Sequence, residues 1–470
     1  MLRHSLGLSA WKQFRDSRWS LRVNPSSGNL HPTEAYVISA SGLHRGVFHY
    51  AADRHALEQR CAFELEWPEG VFLVALTSIH WREAWKYGER AFRYCQHDLG
   101  HAIAAVRIAA ALNGLHARLL PEWSHRDIAA LIGIDRDEDF FEAEREEPGC
   151  LVVLEPPALV LGPHLVPGPS PVRGPRSRET LLDAVRRGRW AGKASQLSEE
   201  HVEWTFIDEA ARATEDGGRG RDAAGTEEGR SRDGDWVSRA LLLQRRSAVA
   251  LDGQSFIPAE TFFQMLERVM PSASAPWDAL WWDPRIHLGL FVHRVTGVEP
   301  GLYLLIRNPR AAETLKRALT RDFIWQPITD RLPLFLLARG DCRRLAGRVS
   351  CDQDIAADGF FSLGMFAEFD ASLEELGPSF YRHLFWESGV VGQQLYLAAE
   401  AVGARGTGIG CFYDDPVHEV FGLVDHSFQS LYHFTIGVPV EDTRLTTEPG
   451  YSWEARLSSL SRLSSLNDVE

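Results

Sequence analysis

Short unbroken apolar runs are spaced along this chain between longer segments rich in alanine. Val71 to Leu76 (VFLVAL) and Leu332 to Ala338 (LPLFLLA) predict buried strands, and AYVIS (Ala35 to Ser39) predicts another. His101 to Leu115 (HAIAAVRIAAALNGL) and Val390 to Ala404 (VVGQQLYLAAEAVGA) predict two buried central helices. Strands and helices of this kind imply an α+β domain of packed layers.

The two Ala-rich segments belong to a longer internal similarity. Gly88, Arg93, Gly100, Ala109, Ala110, Gly114 and Gly133 match Gly377, Arg382, Gly389, Ala398, Ala399, Gly403 and Gly422, and every pair is 289 residues apart. An ungapped register of this length is hard to obtain from composition alone, so the chain reads as a duplication. Further upstream, Gly42 to Tyr50 and Gly297 to Leu305 agree at a different offset, which places insertions in loops.

Between the copies the composition changes. Residues 163–235 are first Pro/Gly-rich, then carry a helix expected around Arg178 to Arg187, then become Gly-, Arg- and Glu-rich from Glu215 to Asp235, which reads as a disordered linker. The expected organisation is copy 1 over 1–162, N-terminally incomplete, the linker over 163–235, copy 2 over 236–445, and a tail over 446–470. After Tyr451 a short amphipathic helix is expected.

Composition narrows the function. At 470 residues the chain is long enough for two cores. The apolar stretch Cys150 to Val166 is interrupted by Glu155, Pro156, Pro157 and Pro163, which excludes a spanning helix there, and no signal peptide is visible, so a cytoplasmic location is expected. The six cysteines have no metal-ligand spacing, so they read as reduced thiols and no metal is expected. A net charge of −14 argues against a nucleic-acid partner, since phosphate backbones need clustered cations. One anionic cofactor needs only a local Arg fork and a few N–H groups.

Four segments could supply such a site. Arg22 to Glu34 holds Pro25, Ser26, Ser27 and Asn29 just before a predicted strand, offering hydroxyls, an amide and turn N–H groups, although a well-capped turn would look the same. Arg245, Arg246 and Ser247 offer a guanidinium fork suited to phosphate, though such a triplet alone is more often a solvated surface segment. Gly408, Ile409 and Gly410 follow the second Ala-rich helix and permit close approach of a flat ring to the backbone, without the spacing of a dinucleotide fingerprint. Arg444, after the last apolar run, is a further cation that in isolation reads as a surface residue.

Taken together and in this order, these segments resemble the nitroreductase superfamily. The similarity is greatest to its SagB-type branch of azoline-oxidising dehydrogenases, through Trp81 to His101 (WREAWKYGERAFRYCQHDLGH) and Gly408 to Leu423 (GIGCFYDDPVHEVFGL). The resemblance implies two nitroreductase-like α/β layers, each with a central mixed or antiparallel sheet, forming an intramolecular pseudo-dimer that binds FMN. It implies a phosphate clamp at Arg245, Arg246 and Ser247, with Arg444 and Arg22 as further candidates. It also implies ring contacts from Pro25, Ser26, Ser27, Asn29 and Gly408 to Gly410, and a catalytic Lys86-Tyr87 pair. An ammonium beside a phenol favours loss of the phenolic proton, which suits acid/base work.

The pieces are divided between the copies. In the 289 register Gly408 to Gly410 face Leu119, Leu120 and Pro121, and Lys86-Tyr87 face Glu375-Leu376. The second copy has only Pro271-Ser-Ala-Ser in place of the Pro-Ser segment, and no Arg-Arg-Ser precedes that segment in the first. One composite site is therefore expected, with the other empty. Val249 stands where the family often has a basic residue, so Arg246 or Arg22 would have to compensate. The expected substrate is a small or peptide-borne heterocycle. The alternatives are NAD(P)H-dependent reduction of a nitro or quinone compound, and a flavin-binding or scaffold protein without turnover.

Overall fold

The structure is a computed structural model that describes residues 1–39, 45–157, 178–219 and 236–454. The Pro/Gly-rich stretch before Arg178, most of the Gly/Arg/Glu-rich run and the helix expected after Tyr451 lie outside the described residues.

Near the N-terminus β1 (Leu8–Phe14) and β2 (Ser17–Arg22) form a hairpin. The first large sheet contains β3 (Thr33–Ser39), β4 (Gly46–Ala51), β5 (Ala56–Ala62), β6 (Phe72–Ser78), β7 (His116–Leu119), β8 (Glu147–Glu155) and β9 (Arg189–Trp190), in the order β7-β8-β6-β3-β4-β5-β9. The second half opens with β10 (Ile257–Pro258), which pairs in parallel with β12 (Val295–Thr296). Its large sheet contains β11 (Ile286–Val292), β13 (Gly301–Leu305), β14 (Gln326–Pro327), β15 (Leu334–Arg339), β16 (Phe361–Glu368), β17 (Arg405–Ile409) and β18 (Phe428–Gly437). The order is β14-β15-β13-β11-β16-β18-β17, and both large sheets are antiparallel throughout. Taken from the other edge, the second order repeats the first over six strands, and only the edge strands β9 and β14 come from different places in the chain.

Each sheet is covered on both faces, which is why its central strands are apolar without alternation. Val74 and Leu76 of β6 pack inward on Leu99 and Ile103 of the helix Ala91–Ala111, while Leu73 and Ala75 pack outward on Leu131, Leu181 and Val185. The same division holds for β11, with Leu288 and Leu290 inward and Phe291 outward against Phe421 and Leu315. Full burial of such a side chain contributes about 1.5–3 kcal/mol, so strands and helices are mutually dependent.

The helices follow the 289-residue register. Ala91–Ala111 corresponds to Phe380–Ala401, and His125–Ile132 to Asp414–Phe421. The latter two end in left-handed glycines, Gly133 (φ 75°) and Gly422 (φ 71°). The two long helices cross at Gly100 and Gly389. A Cβ at Gly100 would run into the Trp386 carbonyl, and one at Gly389 into the His97 carbonyl. Glycine at both positions allows the backbones to touch.

Two findings concern the ends and the linker. The β1–β2 hairpin pairs with β19 (Thr446–Pro449), and the Tyr451 hydroxyl accepts from the Leu8 amide and donates to the Ala52 carbonyl, so the first residues dock on the end of the second half. Residues 178–219, inside the stretch read as linker, carry the helix Arg178–Arg186, strand β9 and the helix Thr205–Ala213. Leu181 and Val185 complete the outer core of the first sheet, and the apolar side of that helix supplies the physical reason this segment packs.

Candidate functional site

The loop between β2 and β3 turns sharply, with Gly28 (φ 57°), Asn29 (φ 60°) and His31 (φ 54°) all left-handed. Its polar groups hold the turn. The Ser26 hydroxyl accepts from the His31 amide (3.0 Å), and the Asn29 side-chain amide donates to the Ser20 carbonyl (2.9 Å). Pro25 is half-buried beside them. Arg22 turns away to the Thr33 carbonyl (2.8 Å) and toward Glu34, so it does not stand in for a basic residue at 249. The Ser27 amide donates to the Asp98 carboxyl at 3.0 and 3.1 Å, and its hydroxyl to the same group at 3.3 Å.

Lys86 and Tyr87 end the helix Trp81–Tyr87 and lie directly on this turn. A Cβ on Gly28 would run into the Tyr87 hydroxyl and sit 3.1 Å from Lys86 Nζ. The ammonium is 5.0 Å from the Tyr87 ring centroid. Tyr87 meets Tyr94 edge to face at 4.8 Å, and Tyr94 packs on Gly410 of the second half. The Arg90 guanidinium donates to the Gly410 carbonyl (3.4 Å) and pairs with Asp414 (2.9 Å). The Pro-Ser turn, the Lys-Tyr pair and the glycine segment, far apart in the chain, are thus brought to one place.

Arg245 joins the two halves at the same place. It is 3% exposed, donates to the carbonyls of Val23 (3.2 Å) and Arg22 (3.1 Å), and lies 5.0 Å from the Tyr396 ring centroid. Its Nη1 is buried and unpartnered. Ser247 is exposed at the backbone bridge to Gly406, and its hydroxyl is 2.9 Å from that of Tyr396, which accepts from the Gly408 amide at 3.0 Å. Arg246 donates to the Leu243 and Arg245 carbonyls and to the Ser9 hydroxyl (3.2 Å), and burial lowers its pKa to about 10. Arg444 stands apart: exposed, it forks onto Asp442 with two contacts of 2.8 Å and rests over Phe14. The proposed basic position, Val249, is almost fully exposed.

Several contributors went unread in the sequence. Tyr94, His97, Asp98 and His101 lie on one face of the first central helix, a spacing visible in the chain. His97 stacks on Tyr432 at 4.2 Å, and His101 Nε2 is 3.2 Å from the Tyr432 hydroxyl. Burial, with the neighbouring Arg245 charge acting in the same sense, lowers the His101 pKa to about 3 against the Gln393 hydrogen bond, so its ring is neutral. Glu83 is fully buried, its carboxyl oxygens without partners, and burial together with the Asp98 charge holds it well above the usual carboxyl range. Burial also raises Asp98, against its Ser27 bonds. Burial therefore disfavours charge on both carboxyl groups beside the Lys-Tyr pair, and Glu83, which lacks the hydrogen bonds that Ser27 gives Asp98, is the one held neutral.

The donors gathered here suit an anion: an unpartnered Arg245 N–H, the Ser247 hydroxyl and Arg246 are within one short segment. The glycine backbone suits a flat ring, but the faces where a Cβ would project from Gly408 and Gly410 are covered by the protein's own Tyr432 and Tyr94. Gly28, Lys86, Ser247 and Cys411 are exposed around the cluster. Among the described residues no cluster of three or more His, Cys, Asp or Glu is placed to hold a metal, and no helix is long and apolar enough to cross a membrane.

Comparison with known proteins places this fold. The family described as Nitroreductase matches residues 242–438, most of the second half. A solved structure of a candidate nitroreductase from Anabaena variabilis ATCC 29413 is similar over both halves, covering 93% of this chain and 87% of that one, with TM-score 0.68 and 19% identity. The fold is thus nitroreductase-like across the described sheets. Lesser overlaps include a chain of the E. coli microcin synthetase McbBCD complex with truncated pro-MccB17 bound (14% identity, 52% of this chain and 85% of that one, TM-score 0.33). Another is the NADPH:FMN oxidoreductase from Vibrio harveyi complexed with NAD+ (14% identity, 43% and 68%, TM-score 0.26). No curated protein matches.

Proposed function

We propose that this chain is an FMN-dependent oxidoreductase in which two copies of a nitroreductase-like unit form an intramolecular pseudo-dimer sharing one composite flavin site. The observation that carries this reading is the convergence of the Pro-Ser turn and Lys86-Tyr87 from one half with Arg245, Ser247 and Gly408 to Gly410 from the other. The shared strand order and the 289-residue register support the duplication. Arg245, Arg246 and Ser247 would hold the phosphate, with charge-assisted hydrogen bonds from the guanidinium groups. The Pro-Ser turn and the glycine backbone would flank the ring. Bound FMN supplies two-electron transfer.

Tyr87 moves the proton that accompanies that transfer at its phenol oxygen, and Lys86 orients and charges the same spot. The neutral Glu83 beside them leaves the ammonium without a carboxylate partner on its own helix. The substrate class that suits a proton-transferring Tyr beside a Lys is an azoline heterocycle, free or peptide-borne, as in the SagB-type branch. The coverage of Gly408 and Gly410 by Tyr432 and Tyr94 favours a second reading, a nitroreductase-like scaffold without turnover.

Purified protein distinguishes them. A yellow preparation, or one that takes up FMN to about one per chain on reconstitution, supports the composite site. A stoichiometry near two per chain overturns it, and a colourless protein that cannot be reconstituted favours the scaffold.

A further inference from the structure

The six cysteines divide sharply by environment. Cys61, Cys95, Cys150 and Cys342 are buried, whereas Cys351 is half-buried and Cys411 exposed. These two are neighbours, although the chain separates them by an entire helical segment, strand β16 and the second central helix. After burial, Cys411 is the side chain that most shifts the Cys351 thiol.

The contact does not depend on the thiols alone. The Tyr413 amide donates to the Val349 carbonyl (2.9 Å), the Gln353 side chain to the Cys411 carbonyl (3.2 Å), and the Tyr413 hydroxyl to Asp352 (3.3 Å). Beneath them Phe412 stacks on His433 at 4.4 Å, and His433 Nδ1 is 3.1 Å from the Ser350 hydroxyl. Cys351 (φ 58°) and Asp352 (φ 55°) are consecutive left-handed residues without the freedom of glycine, a conformation that costs of order 1 kcal/mol each and persists only when surrounding contacts impose it. The turn that carries one sulfur is therefore held against the segment that carries the other. Cys411 directly follows Gly410, on which Tyr94 packs, and Arg90 donates to the carbonyls on both sides of it, Gly410 and Phe412.

We propose that Cys351 and Cys411 form a two-electron dithiol/disulfide site at the rim of the composite site, oxidised by exchange with a small external disulfide. The exposed Cys411 thiolate attacks one sulfur of the external disulfide, forming a mixed disulfide and releasing the first thiolate. Cys351 then attacks the Cys411 sulfur, forming the internal disulfide and releasing the second. The two thiol protons leave with the two thiolates, so one external disulfide becomes two thiols as the protein dithiol becomes a disulfide. The division of roles follows from exposure and charge. Burial, then the neighbouring Cys411, pushes the Cys351 thiol up to about 12, so it stays protonated until Cys411 is modified. In a reducing compartment such a pair is a reversible sensor rather than a structural staple. The step requires no flavin, so it stands apart from the function proposed above.

The test uses the full chain in buffers of reduced and oxidised glutathione, followed by acid quenching, alkylation and peptide mass spectrometry. In wild type under oxidising buffer, the peptides bearing Cys351 and Cys411 become linked and the other four cysteines stay alkylatable after unfolding. In Cys351→Ser the reaction stops as a glutathione adduct on Cys411, at least about tenfold more abundant than in wild type because nothing resolves it. In Cys411→Ser, Cys351 remains a thiol. A persistent Cys411 adduct in wild type without the internal link overturns the proposal, as does equal reactivity of Cys351 with and without Cys411. The wild-type result decides even if a variant folds poorly.

Discussion

Replacing Glu83 by Gln tests the neutral acid beneath the Lys-Tyr pair. Glu83 is fully buried, its oxygens have no partners, and burial together with the Asp98 charge raises its pKa well above the free value of 4.5. An acid whose folded pKa is raised contributes most stability below its unfolded pKa, and that contribution erodes as pH rises toward the folded pKa. Each pH unit in this window is worth about 1.4 kcal/mol, so at pH 7 the wild type has lost about 3 kcal/mol that a neutral amide of the same shape does not lose. The unsatisfied polar atoms are common to the neutral acid and the amide and cancel to first order. Denaturant midpoints measured across about pH 5 to 8 should therefore show Glu83→Gln gaining on wild type by about 3 kcal/mol at neutrality and by less than about 1 kcal/mol near pH 5. An infrared band of a protonated carboxyl should be present in wild type and absent in the variant. Equal pH dependence of the two proteins, or a variant less stable at pH 7, would mean that Glu83 is ionised and paired with Lys86, and the reasoning fails.

Three further outcomes are expected. Tyr87→Phe should slow substrate oxidation by about a hundredfold or more while leaving the spectrum of bound flavin unchanged, and an unaffected rate would remove the phenol from proton transfer. Tyr94→Leu uncovers Gly410 and should increase flavin retention on gel filtration; weaker retention would show that Tyr94 supports the ring rather than competing with it. Gly100→Ala forces a methyl against the Trp386 carbonyl where the two long helices touch and should lower stability by about 3 kcal/mol, whereas Gly114→Ala, with φ 69° and open space around it, should cost only about 1 kcal/mol. Similar denaturant midpoints for the two variants would mean that the crossing is not the constraint described.

What the sequence by itself determined is what the chain encodes over short spans or by repetition. The α+β layers were legible because Val71 to Leu76 and the Ala-rich helices must be buried wherever they are placed, and the likeness to the nitroreductase fold because the motifs keep their order. The 289-residue register contained the paired helices, and with Gly100 and Gly389 even the point where they touch. The tertiary structure alone decided which segments meet. Nothing local announces that the β1–β2 hairpin pairs with β19, that Leu181 and Val185 of an apparent linker complete a core, or that Arg444 is tied to Asp442 rather than to the site. The same holds for the tyrosines over the glycine strand and for Cys351 beside Cys411. These arrangements depend on contacts between residues tens to hundreds of positions apart, where hydrogen bonds and burial, not propensity, choose the partner.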